Sequence, residues 1–367
     1  MEQNKFSKLT IQRLVLHHWR NYEEMHLDFS EHFNQIIGAN AQGKTNLLEA
    51  IQFLISGRSF RTHHLNDLIR DQQPRFYIEA HFLKQGIEQK IKVAYGANDR
   101  KIVYNSTPLG SLSDLIGIIP GVLLAPQDDE LVRGSPQYRR DFLDLHIAQV
   151  DPLYVHHLTR YQRALKQRNH LLKQESTLCI EMWEHEMAKA AAYLVLKRYE
   201  AVVELELKSK DLLLLLSEKN DELSIIYQTS LSYKLSYNEL VDAYIAEFQK
   251  QRRRELIMGF TLIGPQKDDL NFLLNGKEAR LFASEGQART LVSALRFAQW
   301  HRLSTMTEEK PLMIIDDIGM SLDPKRKTLL LEHLQHLGQV FVSSPEPHSI
   351  THTDSRHYSI SGGKLFA

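Results

Sequence analysis

The sequence lacks the features of a disulfide-bonded, zinc-cluster or membrane-embedded protein. Its 367 residues include one cysteine, Cys179, which excludes an intramolecular disulfide and a cysteine-based zinc cluster. The longest leucine run, 212–216, is too short to cross a bilayer. The polar start M-E-Q-N-K-F-S-K has no apolar core of the signal-peptide kind. We therefore expect a soluble, cytoplasmic protein without a membrane segment of its own.

An excess of one charge is also absent. Lys and Arg together number 45, as do Asp and Glu, so net charge does not indicate nucleic acid, although a local basic patch still could. The 18 histidines form no H-E-x-x-H motif. The adjacent pairs 17–18, 63–64 and 156–157 should point apart on a helix or strand, and His333 and His336 have no evident carboxylate partner. We therefore favour ordinary surface or core histidines over a histidine metal site.

Hydrophobic periodicity divides the chain into three parts. Apolar and polar residues alternate through the first 35 positions and through 76–104, which predicts strands, and L-L-E-A-I-Q-F-L-I predicts a helix between them. From about residue 136 helical spacing dominates, with helices expected after Asp151, over 176–216 and over 238–256, and one hairpin near 223–235. Strand patterns resume after Gly259, with hairpins at Asn275-Gly276 and Gly362-Gly363 and a buried strand at 312–315.

This order predicts an α/β fold in which a head is interrupted by a helical insertion. We assign residues 1–135 to the first part of the head, 136–257 to the insertion, and 258–367 to the second part of the head. Internal repeats and low-complexity segments are absent from the sequence.

The most specific motif is G-A-N-A-Q-G-K-T at 38–45, which matches G-x-x-x-x-G-K-[ST] in full, after a predicted strand and before a predicted helix. Glycines let successive backbone N–H groups curl around phosphate oxygens, and the helix that begins there adds its positive dipole end. Lys44 is expected to reach the β- and γ-phosphates, and the Thr45 hydroxyl to bind Mg²⁺. The motif predicts a nucleotide triphosphate site. Its predicted contacts are Gly38, Ala39, Asn40, Ala41, Gln42, Gly43, Lys44, Thr45 and Asn46.

A second motif is L-M-I-I-D-D at 312–317, an apolar strand that delivers an acid at its end. Asp316 is expected to help coordinate Mg²⁺, and Asp317 is expected to orient or activate the attacking water. A buried strand that ends in a polar loop is the alternative interpretation of the pattern taken alone. Beside the 38–45 loop it predicts the second half of the same site.

The stretch S-E-G-Q-A-R-T at 284–290 has two interpretations. Ser284 followed three residues later by Gln287 fits a capping box, which requires no function. Alternatively it forms a second phosphate-facing helix N-terminus, where Gly286 lets the backbone come close. Local physical chemistry does not choose between these interpretations.

The order of these motifs resembles that of ABC-type ATPases, including their SMC branch, and the chain as a whole resembles the RecF family. The resemblance covers almost the whole chain. The matching segments are W-R-N-Y (19–22), G-A-N-A-Q-G-K-T-N-L-L-E-A-I (38–51), G-R-S-F-R-T (57–62), L-I-R (68–70), L-V-R-G-S-P-Q-Y-R-R-D-F-L-D (131–144), T-L-I-G-P-Q-K-D-D-L (261–270), S-E-G-Q-A-R-T (284–290) and D-D-I-G-M-S-L-D (316–323).

The resemblance implies an ABC-type head, similar to those of Rad50 and SMC proteins, with an inserted helical arm. It implies an ATP- and Mg²⁺-dependent homodimer in which each signature helix closes the partner's nucleotide site. It also implies weak hydrolysis that switches binding to double-stranded DNA in recombinational repair and the SOS response. RecR- and RecO-type recombination mediators would be the protein partners. Further site residues implied are Gln127 as a catalytic residue and Arg61, Ser284, Gly286, Gln287 and Asp323 as nucleotide contacts.

The sequence departs from the family pattern at several positions. Ala288 stands where the family usually has a second glutamine, and Gln127 stands where it usually has glutamate. Gln266-Lys267 replaces His-Arg, and Met320-Ser321 replaces Ser-Glu. These changes spare the predicted phosphate and Mg²⁺ residues.

Basic residues between Asp151 and Glu175 give an independent indication of DNA binding, because no acidic residue lies among them. Arg160, Arg163 and Lys166 are predicted to lie along one helical face that could neutralise phosphates without reading bases. Arg139 and Arg140 lie just before and are included in the predicted surface. A solvated charged face is the alternative explanation.

Three other functions share some of these motifs. A transporter's nucleotide-binding subunit would share the loop and signature but not the helical insertion or W-R-N-Y. A small-metabolite kinase needs no S-x-G-Q helix and seldom places its second acid some 270 residues after the first motif. A nucleotide-gated scaffold, in which turnover is incidental, would differ only in whether hydrolysis is needed for DNA loading.

Overall fold

The computed structural model describes residues 6–97, 99–217, 221–317, 324–347 and 354–366. Its strands, numbered in chain order, are β1 Ser7–Trp19, β2 Tyr22–Asp28, β3 Phe33–Ile37, β4 Arg75–Lys84, β5 Ile87–Gly96, β6 Arg100–Tyr104, β7 Thr107–Leu109, β8 Gly121–Leu124, β9 Leu223–Gln228, β10 Asp269–Leu274, β11 Lys277–Glu278, β12 Glu309–Lys310, β13 Leu312–Ile315, β14 Val340–Ser344, β15 Ser355–Ser361 and β16 Lys364–Phe366.

The helices are numbered in the same way. They are α1 Lys44–Ser56, α2 Asp129–Arg133, α3 Pro136–Ala148, α4 Pro152–Lys173, α5 Ile180–Leu216, α6 Tyr237–Met258, α7 Ala279–Phe282, α8 Glu285–Thr307 and α9 Pro324–Leu334. Short 3-10 turns lie at Leu65–Leu68, Leu112–Leu115, Pro126–Asp128 and Pro265–Lys267. Within the described ranges, no helix combines the length and apolar character that a bilayer crossing requires.

The chain divides into two compact units. Residues 1–128, 215–219 and 284–367 form one, called the head unit below, and residues 129–214 and 220–283 form the other, called the insertion unit. The expected interruption of a head by an insertion therefore appears, but its limits differ from the boundaries at 135/136 and 257/258 that periodicity suggested. The segment 258–283 joins the insertion unit because β10 pairs with β9 along Asp269–Leu274.

The head unit contains two sheets. In the described residues, one has the order β12-β1-β4-β5-β6-β7 with β2 also paired to β1, and the other has the order β16-β15-β3-β14-β13-β8. In the second sheet, β15, β3, β14, β13 and β8 run parallel. The carboxyl ends of these parallel strands meet at one sheet edge, which is where ligands of α/β proteins bind.

Helix α1 belongs to the core of the head unit rather than to its surface. Leu47, Ile51, Phe53 and Leu54 are fully buried in one hydrophobic cluster that also takes residues from both sheets. A helix that is apolar on nearly all sides is stable only when it is surrounded by protein. This burial fixes the position of the helix's first turn, and with it the loop that precedes it.

The insertion unit is held by buried ion pairs as well as by apolar packing. Arg168 of α4 is fully buried and lies 2.9 Å from Glu184 of α5 and 2.6 Å from Glu255 of α6. Arg198 of α5 lies 2.9 Å from Asp144 of α3. Because each charge is paired and hydrogen-bonded, its burial is compensated, and the pairs fix how these helices pack.

Two expectations for the insertion unit were wrong. The hairpin near 223–235 is absent from the described residues there, because β9 pairs with β10, about 45 positions later, and Ser236 then starts α6 with a capping box to Glu239. The segment F-T-L-I-G-P at 260–265 forms no strand. Its Thr261 instead bonds the side chains of Asn169 and Arg168. Both hairpins expected around Asn275-Gly276 and Gly362-Gly363 are confirmed.

Candidate nucleotide-binding site

The loop 38–45 connects β3 to α1, as the motif predicted. Gly43 has φ +119°, a conformation that side chains disfavour, and an added Cβ would lie 2.7 Å from Asn21 Nδ2. At Gly38 an added Cβ would lie 2.3 Å from the carbonyl oxygen of Ile360. Both glycines are therefore required for the shape of the loop. The tip of the loop, Ala39, Asn40 and Ala41, is exposed.

The first turn of α1 is suited to an anion. It carries no acidic residue, and its N-cap Gly43 offers no side-chain cap, so the positive end of the helix is not compensated locally. Lys44 Nζ donates to the carbonyl oxygens of Gly38 at 2.5 Å and Ala39 at 3.0 Å. Burial lowers the pKa of Lys44, while Asp317 and Asp316 act in the opposite direction. These groups fit a phosphate chain bound along the loop.

Two oxygen donors of the kind that Mg²⁺ prefers lie side by side next to the loop. Thr45 Oγ1 donates to Asp316 Oδ1 at 3.0 Å, although the residues are 271 positions apart. Asp316 follows β13, a neighbour of β14 and β8 in the parallel sheet. Burial raises the pKa of the Asp316 carboxyl, and its hydrogen bonds to Ser343 and Thr45 oppose that shift. The donor set fits a divalent cation bound through a hydroxyl and a carboxylate.

Ser343, at the end of β14, holds both acids. Its hydroxyl donates to Asp316 Oδ1 at 2.7 Å and accepts from the backbone N–H of Asp317 at 2.8 Å. Asp317 has φ +58°, uncommon for a residue other than glycine, and its side chain is partly exposed. The serine therefore fixes the direction in which both carboxylates leave the strand.

Gln127 lies at the same edge of the sheet, because β8 runs parallel to β13 with Leu124 opposite Ile315, and Gln127 follows three residues later. Its side chain is exposed in the 3-10 turn Pro126–Asp128. Asp128 in that turn is paired with Arg296 of α8 at 2.5 Å, which anchors the turn to the helix. Asp323 and the Met320-Ser321 departure lie outside the described residues.

The W-R-N-Y segment holds the loop from the β1–β2 turn. Tyr22 donates to the carbonyl oxygen of Gly43 at 2.8 Å, and Trp19 Nε1 donates to that of Asn46 at 2.8 Å. The Asn21 amide bonds Gln42 O at 3.1 Å and the Asn46 side chain at 2.8 Å. All of these partners, Gln42, Gly43 and Asn46, lie in or next to the loop. We call this arrangement the turn clamp.

The carboxyl-terminal hairpin holds the same loop from another direction. The carbonyl oxygen of Gln42 accepts from Gly363 N at 3.0 Å, and its side-chain oxygen accepts from Gly362 N at 2.7 Å. An added Cβ at Gly363 would lie 2.7 Å from Asn21 O. Gln42 is therefore bonded both to Asn21 in the β1–β2 turn and to Gly362 and Gly363 in the carboxyl-terminal hairpin.

Glu49, fully buried in α1, organises the segment G-R-S-F-R-T. It forms two hydrogen bonds with Arg20, and it accepts another from the Ser59 hydroxyl. Arg61 lies 3.9 Å from Glu49 and donates to Asn46 Oδ1 at 2.7 Å. Its side chain is 44% exposed, so the guanidinium remains partly open to solvent next to the loop.

The stretch 284–290 begins α8 with the predicted capping box. The Ser284 hydroxyl accepts from Gln287 N at 3.2 Å, and Gln287 Oε1 accepts from Ser284 N at 3.1 Å. At Gly286 an added Cβ would lie 2.9 Å from Arg326 Nη1 of α9, so a larger residue here would require that flexible side chain to shift. Ala288 is buried, so the departure from the family pattern at this position places a small apolar residue against protein.

The structure separates the predicted DNA-contacting residues into two groups. Arg139 is buried and bonded to Asp269, Arg140 donates to the carbonyl oxygen of Asp268, and Arg160 pairs with Glu186. Arg163 and Lys166 are exposed on α4, and in the described part of the chain no acidic side chain pairs with either. Of the five predicted residues, Arg163 and Lys166 are therefore the ones that the described structure leaves exposed without an ion pair.

Sequence patterns did not reveal several residues of the site. Asn21 and Tyr22 contact the loop from 21 positions away, and Ser343 contacts the two acids from 27 and 26 positions away. Glu49 bonds Arg20 and Ser59 from inside α1. For Asn21 and Tyr22 the available signal was the W-R-N-Y motif, which is part of the resemblance to the family. Ser343 and Glu49 carry no sequence signal, because a serine ending a strand and a glutamate within a helix are common.

The sheet edge, the glycine loop and the acid-tipped strand together define a P-loop ATPase head of the ABC type. The family described as RecF/RecN/SMC N terminal domain matches residues 10–361. The DNA replication and repair protein RecF of Protochlamydia amoebophila is 52% identical over 95% of this chain and 97% of its own length. That of Bacillus subtilis is 36% identical over 94% of this chain and 96% of its own.

Solved structures agree with this classification. The recombination mediator protein RecF-ATP in the RecFOR pathway has a TM-score of 0.92 at 27% identity, with coverage of 100% of this chain and 99% of its own. An Smc head domain from Pyrococcus furiosus matches at a TM-score of 0.55 and 16% identity, with coverage of 97% of this chain and 95% of its own, and shares the fold. The chain belongs to the RecF family.

Proposed function

We propose that this protein binds ATP with Mg²⁺, uses slow hydrolysis as a switch, and acts on double-stranded DNA in replication and recombinational repair. The observation that carries the proposal is the 3.0 Å contact between Thr45 Oγ1 and Asp316 Oδ1 beside the glycine loop. A hydroxyl and a carboxylate at this distance, next to a phosphate cradle, would suit Thr45 and Asp316 to hold a Mg²⁺ ion that neutralises phosphate charge.

Each residue of the site has a role that its position supports. Lys44 exchanges the carbonyl oxygens of Gly38 and Ala39 for phosphate oxygens. Thr45 and Asp316 would hold Mg²⁺, which when bound neutralises charge that develops on the transferred phosphoryl group. Asp317, turned away from the strand by its positive φ, orients the attacking water, with Gln127 at the same sheet edge. Arg61 contributes a partly exposed positive charge near the phosphates.

The signature helix α8 is proposed to close the nucleotide site of a second copy of the chain. Its capping box uses the Ser284 hydroxyl for Gln287 N, and Gly286 adds no side chain of its own to the first turn. A second phosphate-facing helix N-terminus would thus be supplied in trans. ATP at the interface would then hold the two heads together, and its hydrolysis would allow them to separate. Asp323 is proposed to act at this interface.

The DNA surface is proposed to follow α4 from Arg163. Arg163, Lys166, His170 and Lys173 are exposed at steps of three, four and three residues, which places them on one helical face. An open depression of about 650 Å³ borders the same helix and is lined by Gln162, Leu165, Lys166, Gln167, Asn169, His170 and Lys173. The exposed cations and amides on this face favour contact with phosphates over recognition of bases.

RecR- and RecO-type mediators are proposed as protein partners because the family's solved members are described within the RecFOR pathway. The transporter-subunit alternative has less support, since the relatives reported above are DNA replication and repair proteins.

The test is a titration of duplex DNA with the full chain in ATP, in ADP and without nucleotide, at fixed salt, with particle mass measured in parallel. Tighter binding in ATP together with a doubled mass is expected. The Lys44→Ala variant should lose both effects, because the phosphates lose their point charge. DNA binding and mass that do not depend on nucleotide, in the wild-type protein, would overturn the proposed switch.

A further inference from the structure

Two histidines and a glutamate converge on the outer face of the β1–β2 pair. His17 of β1 lies directly opposite Glu24 of β2, and His26 follows Glu24 by two residues, so all three side chains point to the same face. One ligand atom from each residue lies within 4.8 Å of the other two. Glu24 Oε1 and His26 Nε2 are 2.9 Å apart, and the rings of His17 and His26 are 5.8 Å apart.

We propose that His17, Glu24 and His26 bind one divalent transition-metal ion, Zn²⁺ foremost, with water completing the coordination. This proposal does not depend on the nucleotide function. Two imidazoles and one carboxylate are a donor set that zinc accepts with an open fourth position. With bond lengths of about 2.0–2.1 Å, tetrahedral ligand atoms lie about 3.3 Å apart, so the observed spacing requires only small side-chain rotations.

The surrounding charges leave this group available. On the same face, Glu79 is paired with Lys90 at 2.7 Å, and Arg13 is paired with Asp28 at 2.6 Å. The Glu24 carboxylate faces His26 rather than a lysine or arginine, and both side chains are well exposed, at 60% and 58%. A metal ion from solution can therefore reach the group without breaking a buried ion pair.

The position of the group gives the ion a definite effect. His17 and Glu24 bracket the turn that carries the turn clamp, Trp19 to Tyr22. His18, just before that turn, and Arg20, within it, have positive φ values of 52° and 53°. A metal bridge across the base of the turn would restrict its opening and so stabilise the segment that holds the nucleotide loop.

The experiment is a Zn²⁺ titration of the tag-free full chain against a competing chromophoric chelator, with Co²⁺ absorption as a second readout. About one equivalent should bind, and Co²⁺ should give the intense visible bands of a four-coordinate site. The double variant His17→Ala/His26→Ala should bind at least about tenfold more weakly. His81→Ala, which alters the same sheet face outside the group, should bind as the wild type does.

Glu24→Gln keeps the test decisive if the double variant fails to fold, because the Glu24 side chain is 60% exposed and the substitution keeps its size. It should weaken Zn²⁺ binding and abolish the rise in unfolding temperature that Zn²⁺ produces. Lys44→Ala should show the wild-type rise, which separates this site from the nucleotide site. Wild-type Zn²⁺ affinity in both the double variant and Glu24→Gln, or the absence of any Zn²⁺ binding to the wild type, would overturn the proposal.

Discussion

Arg20 and Glu49 form a two-bond ion pair, with Arg20 Nη2 2.7 Å and Nε 2.8 Å from the two carboxylate oxygens. Glu49 is fully buried in α1, and Arg20 belongs to the β1–β2 turn. The pair therefore ties the turn clamp to the helix whose first turn forms the phosphate cradle. Two parallel bonds fix the direction of the pair as well as its length.

Removing the arginine should destabilise the protein strongly. Arg20→Ala leaves the Glu49 carboxylate buried without its main partner, which typically costs about 3–5 kcal/mol. Urea unfolding measures this loss. Arg13→Ala is the matched control, because its pair with Asp28 is more than half exposed and should cost no more than about 1 kcal/mol. Equal stability losses in the two variants would contradict the special role of Arg20.

Ser343→Ala should weaken Mg²⁺-dependent ATP binding more than it weakens the fold. The variant removes the donor to Asp316 and the acceptor for Asp317 N, so the carboxylate loses its fixed direction. Loss of an outer-shell partner typically lowers metal affinity about 10- to 100-fold. The check is ATP affinity as a function of Mg²⁺ concentration. Ser344→Ala, one residue along the same buried strand, should keep near wild-type Mg²⁺ dependence, and an equal effect in both variants would refute the assignment.

Asp317→Asn should bind ATP but hydrolyse it slowly, since the amide cannot accept a proton from the attacking water. The ATP-bound dimer should therefore accumulate. Light scattering with ATP, compared with ADP, measures the mass, and phosphate release measures turnover. A variant that remains monomeric with ATP would count against the proposed two-head arrangement.

Reversing charge at Arg163 and Lys166 should weaken duplex DNA binding to a similar degree for different sequences. If each residue neutralises one phosphate, the salt dependence of the affinity should fall by about two counter-ions. Arg160→Ala is the control, because Arg160 is already paired with Glu186 and should matter little. Unchanged DNA retention by the double variant Arg163→Glu/Lys166→Glu would place the DNA surface elsewhere.

Mild acid should destabilise the head unit through His333. Burial, with smaller effects from His301 and His336, lowers the pKa of His333 from 6.5 to about 4. The unfolded chain therefore binds a proton between pH 6.5 and 4 that the folded chain does not, so stability is lost as pH falls through this window. At pH 5 the loss relative to pH 8 should be about 1–2 kcal/mol. Urea unfolding of wild type and His333→Gln at both pH values measures it, and an equal loss in both proteins would exclude His333 as the cause.

The residues that the sequence predicted well are those whose chemistry is local. The loop 38–45 could be recognised because its glycines, Lys44 and Thr45 are consecutive and lie between a strand and a helix. The acid at 316 followed from an apolar strand, and the capping box at Ser284 from a three-residue spacing. In each case the physical requirement acts over a few positions, so the pattern is visible in the sequence.

Long-range pairing accounts for what was missed. Nothing near residue 223 indicates that β9 would pair with β10 rather than with its own neighbour, and this error also misplaced the boundary of the insertion. Arg139 and Arg160 seemed free for DNA because their partners, Asp269 and Glu186, are distant in sequence. Likewise, the sequence shows His17 next to His18, whereas Glu24 and His26, with which it clusters, come from the paired strand β2.

The bonds from Gln42 to Gly362 and Gly363 have a consequence for biosynthesis. The strand that precedes the nucleotide loop also lies between β14 and β15, so both of its neighbours are synthesised long after it. Chains emerge from the ribosome amino terminus first. The loop would thus leave the ribosome about 320 residues before Gly362 and Gly363, and until these residues emerge only the turn clamp could hold it.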